Sequence, residues 1–206
     1  MSIQTANLET LCTQTGDQPV GTVIWLHGLG ADATDFESIV PMLELNQPLR
    51  FVFPNAPIRP ITINGGAEMR GWYDIDPRAP LAGSQDIRES VAAITALIEA
   101  EQANGVKPSE IVLAGFSQGG VIALELGLGY SEKLAGIMAL STYLHDHQNV
   151  VDRLGFANVD TSILMLHGIQ DPMIPITRAI TSRECLLKYN YAVQWHEYAM
   201  GHQVCP

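Results

Sequence analysis

Leu113-Ala114-Gly115-Phe116-Ser117-Gln118-Gly119-Gly120 sets one serine between glycines two positions away on either side, directly behind a short apolar run that begins at Ile111. The pattern is that of a strand turning sharply into a helix. In a Gly-x-Ser-x-Gly elbow the turn holds the serine at its apex in strained backbone geometry, and small neighbours let backbone crowd so close that one Oγ stands exposed. The following Val121, Ile122, Ala123, Leu124 and Leu126 suit a helix buried nearly all round, with its N-terminus aimed at the serine. Taken alone, the pentapeptide is also what a purely structural glycine turn before a helix would contain.

Other apolar, β-branched runs recur at residues 20–26, 51–53, 134–140, 163–166 and 193–198, most of them followed by Gly, Pro, Asn or Asp. Helical spacing lies between them, clearest in Ile87, Val91, Ile94 and Ile98, with Ser84 as the expected N-cap. Strands apolar on both faces and separated by helices imply a mostly parallel sheet covered by helices, an α/β architecture. The 206 residues fit one domain, and no repeat or low-complexity linker marks a boundary. Residues 54–83, punctuated by Pro and Gly, read as a long irregular and functional loop.

The net charge of -11 comes without any Lys/Arg cluster, so nucleic acid and anionic membranes are disfavoured as partners. No apolar run approaches the roughly 18 residues of a membrane helix. Cys12, Cys185 and Cys205 are an odd count without Cys-x-x-Cys spacing, which speaks against a disulfide framework and a zinc site and fits a reducing cytoplasm. The first ten residues lack the basic start and apolar centre of a secretory signal.

In a parallel sheet, chemistry collects at the carboxyl ends of the strands. Ser117, Asp171 and His202 each follow a strand run, in the order Ser, Asp, His. A serine hydroxyl is a poor nucleophile near neutral pH and needs an adjacent base, which in turn needs an acid to fix its tautomer and stabilise the imidazolium. Singly, Asp171 in His167-Gly168-Ile169-Gln170-Asp171-Pro172 also reads as a turn cap, and His202 as a surface histidine. Among the competitors, His196 falls within a strand run and His167 at the end of one. His145-Asp146-His147 has metal-like spacing but no further ligands, and reads as solvated loop; Asp152 and Asp160 lack strand-end placement. Trp25-Leu26-His27-Gly28-Leu29-Gly30-Ala31-Asp32 ends an early strand with a tight glycine turn, either structural or a source of backbone N–H groups for a developing oxyanion. Leu29 N–H is the better donor from that loop, and Gln118 N–H, just after the nucleophile, is the second.

With WLHGLGAD, NAPIRPITINGG, MRGWYDI, GFSQGG, HGIQDPMIP and GH in order, the chain from Val20 to His202 resembles the phospholipase/carboxylesterase family, which includes acyl-protein thioesterases. The resemblance implies an α/β-hydrolase fold without a large cap domain, no cofactor, no metal, and hydrolysis of carboxylic esters or thioesters. Carried over, it implies nucleophile Ser117, acid Asp171, base His202 and oxyanion donors at the backbone of Leu29 and Gln118. Trp72 and its loop are then expected to border the acyl site, with Ile63, Met69, Tyr73 and Leu81 adding apolar surface, or else forming a minor cluster that pins the loop. Family members continue into a further helix where this chain stops at Val204-Cys205-Pro206. A native terminus there leads to the expectation of an uncovered apolar patch, reduced stability or a homodimer.

The leading expectation is a serine carboxylesterase acting on short- to medium-chain esters through an acyl-enzyme, with activity rising as His202 loses its proton. The alternative is an acyl-protein thioesterase or lysophospholipase, whose substrate includes an acylated protein. A non-catalytic binding protein on the same fold is the reading from another class, and a peptidase the weakest.

Overall fold

The computed structural model describes residues 8–205. Strands β1 (Thr10–Gln14), β2 (Thr22–Leu26), β3 (Arg50–Pro54), β4 (Ile58–Ile61), β5 (Ala67–Arg70), β6 (Ile111–Phe116), β7 (Gly136–Leu140), β8 (Ile163–Gly168) and β9 (Val193–Tyr198) alternate with helices α1 (Thr34–Glu37), α2 (Ser84–Ala103), α3 (Gln118–Gly129) and α4 (Ile176–Lys188). One sheet runs in the order β1-β3-β2-β6-β7-β8-β9, parallel except where β1 pairs antiparallel with β3.

Central strands form because their residues are apolar on both faces, which only a sheet with two covered sides can bury. Ile24, Leu26, Val52, Leu113, Ile137, Ala139, Ile163 and Met165 pack under α2, α3 and α4. On the opposite face Val23, Trp25, Phe51, Phe53 and Ala114 pack against Phe36 of α1 and Val40. Farther along that face, Met138, Leu164 and Leu166 are half-buried.

The expected stripe of α2 is buried at Ile87, Ile94 and Ile98, with Val91 half-buried beside it. Its cap differs from expectation. Gly83 is the N-cap and Ser84 the first helical residue, its Oγ–H donating to Leu81 O at 2.7 Å. One position inside the helix, Ser84 is past the N-cap place, and its hydroxyl also contacts His145 Nε2 rather than a helix N–H. The stretch 54–83 is less irregular than its Pro and Gly content implies, because β4 and β5 pair as an antiparallel hairpin whose tip, Gly65-Gly66, takes positive φ at both residues.

Strand order reverses between β2 and β6, and at such a switch point the chains leaving the two carboxyl ends diverge and open a crevice. Leu26 pairs with Gly115, so the loops that follow them emerge side by side. α3 is seated so closely on this edge that a Cβ on Gly119 would stand 2.5 Å from Leu26 O and 2.6 Å from His27 O, and one on Gly120 2.7 Å from Thr142 Cβ.

Backbone oxygens cannot step aside as a flexible side chain can. Gly119→Ala is therefore expected to lower unfolding free energy by about 2–3 kcal/mol. Gly136→Ala, where the nearest atom to a new Cβ is 3.6 Å away, should change it by less than about 1 kcal/mol. Urea midpoints of the two variants check this, and equal midpoints would contradict the packing described.

Candidate active site

β6 ends at Phe116 and α3 begins at Gln118, leaving Ser117 alone in the turn at φ 54° and ψ -118°. That positive φ is unfavourable for an L residue, and the surroundings hold it in place. Ser117 N–H donates to Leu140 O at 2.8 Å, and Thr142 Oγ1–H donates to Ser117 O at 2.7 Å. A Cβ on Gly115 would run into Gly119 O, so glycine at this position is what lets the strand end and the helix start touch.

Asp171 and His202 arrive from β8 and β9. The two loops interlock: Ile169 N–H donates to Tyr198 O and Gln170 N–H to Met200 O, and a Cβ on Gly168 would collide with Met200 O and Gly201 O. His202 is thereby delivered between the other two. Its Nδ1–H donates to Asp171 Oδ2 at 2.7 Å, and its Nε2 accepts from Ser117 Oγ–H at 2.8 Å. The Phe116 ring lies against the imidazole with centroids 4.8 Å apart.

The Asp171 side chain is fully buried. Its Oδ1 accepts from Met173 and Ile174 N–H, both at 2.8 Å, leaving Oδ2 for the histidine. The same carboxylate thus caps its own turn and receives the His202 N–H. Burial pushes its pKa up, but the Ile174 N–H, His202 and the Met173 N–H together outweigh that and hold it below the ordinary aspartate value.

Loop 27–31 meets the elbow directly, since a Cβ on Gly28 would lie 3.2 Å from the Phe116 ring and 3.5 Å from Ser117 Cβ. His27 is buried; Nδ1–H donates to Gly28 O at 2.7 Å and Nε2 accepts from Ala56 N–H at 3.0 Å. Burial lowers its pKa, which keeps the ring neutral as both bonds require. Gly28 O belongs to the same trans peptide as Leu29 N–H, so anchoring the oxygen inward turns that N–H the other way. Among the described residues neither Leu29 N–H nor Gln118 N–H has a hydrogen-bond acceptor.

The residues expected at the acyl surface are dispersed. Trp72 and Tyr73 lie in the core, with Trp72 Nε1–H donating to His27 O at 2.9 Å and the Tyr73 hydroxyl 3.2 Å from that of Tyr143. Met69 sulfur sits 3.7 Å from where a Cβ on Gly30 would be, while Ile63 and Leu81 are half exposed. His145, read from sequence as solvated, is half-buried against the edge of Tyr73 with Nε2 3.2 Å from Ser84 Oγ, and burial lowers its pKa. No group of three or more His, Cys, Asp or Glu among the described residues could hold a metal. His167 is buried, its Nε2–H donating to Ile174 O at 2.9 Å and lying 3.5 Å from Asp171 Oδ2. A cavity of about 490 Å³ among Thr22, Arg50, Glu101 and Glu110 is at the amino ends of the strands, opposite Ser117.

Sequence reasoning missed the Gln118 side chain, whose Oε1 accepts from Trp72 N–H and whose Nε2–H donates to Tyr73 O. The signal was present: a buried amide at the head of a helix whose only other polar side chain is Glu125 has to be paired.

Residues 9–206 match the profile of the Phospholipase/Carboxylesterase family. Acyl-protein thioesterase 1 of Gibberella zeae is 36% identical over 202 residues, covering 92% of this chain and 86% of that protein. Acyl-protein thioesterase 1 of Neurospora crassa is 39% identical over 198 residues, with 89% and 80% covered. The crystal structure of Arabidopsis thaliana SOBER1 superposes with a TM-score of 0.82 at 28% identity, covering 90% of this chain and 91% of that one.

Because its pKa is depressed by folding, Asp171 contributes stability that is fully present above the unfolded aspartate value and lost as pH falls through the folded one, below 3.8. Urea unfolding at about pH 6 and about pH 3 should therefore show a steeper acid loss in the natural protein than in Asp171→Asn. Equal losses would mean that the carboxylate gains nothing from its partners.

Proposed function

Since the chain belongs to the phospholipase/carboxylesterase family of α/β-hydrolases, whose members hydrolyse esters and thioesters, we propose that it is a serine hydrolase that cleaves acyl thioesters through an acyl-enzyme. The observation that carries the reading is the unbroken line from Ser117 Oγ through His202 to Asp171, at 2.8 and 2.7 Å. In it, Ser117 Oγ attacks the acyl carbonyl while His202 Nε2 takes its proton, and Asp171 holds the ring and stabilises the imidazolium. The developing oxyanion is received by Leu29 N–H and Gln118 N–H, which are preorganised and free. Collapse expels the thiol or alcohol with the proton from His202, and water repeats the sequence to free the acid.

The thioesterase branch is favoured over the short-ester branch because the relatives at 36% and 39% identity are named acyl-protein thioesterases. A thiolate is also the better leaving group, its conjugate acid titrating near pH 8.5, so protonation by His202 weighs less in this step than for an alcohol. The substrate is then an acylated protein or peptide, with half-buried Met69 beside the Gly30 loop and Ile63 and Leu81 exposed elsewhere. Three free cysteines fit a cytoplasmic setting.

Ser117→Ala is expected to lower turnover by about 10⁴-fold or more on both 4-nitrophenyl butyrate and an S-acylated peptide, with an unchanged circular dichroism spectrum. The natural protein should show the higher kcat/KM on the S-acylated peptide than on the oxygen ester of the same acyl chain. The reverse order would return the assignment to carboxylesterase, and a Ser117→Ala variant that keeps most of its turnover would remove the serine mechanism.

A further inference from the structure

Leu29 lies in a loop and Gln118 opens α3, and among the described residues no hydrogen bond joins residues 28–30 directly to 117–119. Two oxyanion donors act together only when both are held about 2.7–3.1 Å from one point; the β2–β6 ladder and the seat of Gly119 on Leu26 O and His27 O bring the two segments close, and hydrogen bonds to a third segment fix them further. The strip from Arg70 to Tyr73 touches both. On the Leu29 side, Gly30 N–H donates to Arg70 O at 2.8 Å and Trp72 Nε1–H donates to His27 O at 2.9 Å. On the elbow side, Gln118 Oε1 accepts from Trp72 N–H at 2.7 Å and Gln118 Nε2–H donates to Tyr73 O at 2.6 Å. Between the two, a Cβ on Gly71 would stand 3.1 Å from Leu29 Cδ1 and 3.5 Å from Gln118 Oε1.

The strip is itself fixed from behind. Gly71 N–H donates to Pro57 O at 3.0 Å, and Ser90 Oγ–H on α2 donates to Trp72 O at 2.5 Å. Gln118 is 2% exposed, so its amide has no water to fall back on, and its two bonds define one orientation of the side chain.

We propose that residues 70–73 are a strut setting the distance between the Leu29 and Gln118 N–H groups, and that the Gln118 side chain is the positioning residue that ties the nucleophile turn to it. Gln118 then acts twice, by its backbone N–H on the reacting oxygen and by its side chain on the geometry of that N–H. Trp72 serves the same strut from the other end, which accounts for a fully buried tryptophan in a loop where an acyl-binding face is expected from sequence. The inference rests on the serine hydrolase reading.

The test uses the full chain with Gln118→Met, which keeps the side-chain length and loses both bonds, and with Trp72→Phe, which loses the bond to His27 O together with part of a buried ring. Each is assayed on an S-acylated peptide and against a trifluoromethyl ketone carrying the same acyl chain. Ser117 Oγ adds to the ketone carbonyl, its proton passes to His202, and the resulting hemiketal oxyanion occupies the donor site. Gln118→Met is expected to lower kcat by about 10- to 100-fold with KM within about threefold, and to weaken the ketone by a similar factor. The midpoint of its pH profile should stay in place, because His202 and Asp171 are untouched. Trp72→Phe should lower kcat severalfold at constant KM, and it decides the matter alone if Gln118→Met does not fold. Natural kcat and ketone affinity in the folded variants would overturn the proposal. So would a loss confined to KM, which would make the strip an acyl-binding wall. Failure of the underlying reading would be visible separately, as turnover retained by Ser117→Ala.

Discussion

At Ser117 the chain is bent to φ 54° and ψ -118°, a region that residues with a Cβ avoid at a cost of about 1–3 kcal/mol. The bend is what lifts the hydroxyl clear of the sheet and leaves the next N–H without a partner inside the helix. It persists because the turn is held on every side: by Leu140 O on its N–H, by Thr142 on its carbonyl, and by glycines whose missing Cβ atoms let strand, helix and the His27 loop meet backbone to backbone. Relaxing any of these would let the serine settle into an ordinary conformation and separate it from His202.

From that point the site is divided by strand. β6 leads to the Ser117 hydroxyl, β8 to the Asp171 carboxylate and β9 to the His202 imidazole, and the register of the parallel ladder aligns the three carboxyl ends. Asp171 satisfies its own turn with one oxygen and His202 with the other, so the same carboxylate shapes the loop and orients the imidazole. At the amino ends of the strands the polar groups serve the fold: Glu101 is paired with Arg50 and with Thr22. This asymmetry is what the strand-end rule for parallel sheets leads one to expect.

Most of this was legible in the sequence because it rests on periodicity and on glycine. Five buried strands and the exposed edge strand β9 announce themselves as short apolar runs, and the elbow by its spacing. β1 was not legible, since Thr10–Gln14 is a half-exposed edge strand with three polar positions against two apolar ones. The β4–β5 hairpin was hidden by Pro60, which weakens any strand signal, and α4 by a mostly polar sequence that buries only Ala179, Ser182 and Leu186. Of the site, the side chains whose role lies in pairwise chemistry could be named, whereas those whose role is set by burial could not. Trp72 reads as loop surface and lies in the core; His145 reads as solvated and is tucked against Tyr73; Gln118 reads as a backbone donor alone and also grips two peptide groups. For single side chains outside a periodic run, burial is set by the folded surroundings and no local pattern encodes it.

The central claim is that one hydroxyl among the chain's serines is made nucleophilic by this geometry. Labelling the folded protein with a fluorophosphonate and mapping the adduct by peptide mass spectrometry tests it most directly. A single adduct on the peptide containing Ser117, lost when His202 is replaced by Gln, is the expected result. Folded protein that takes up no label, or carries it on another serine, would contradict the account.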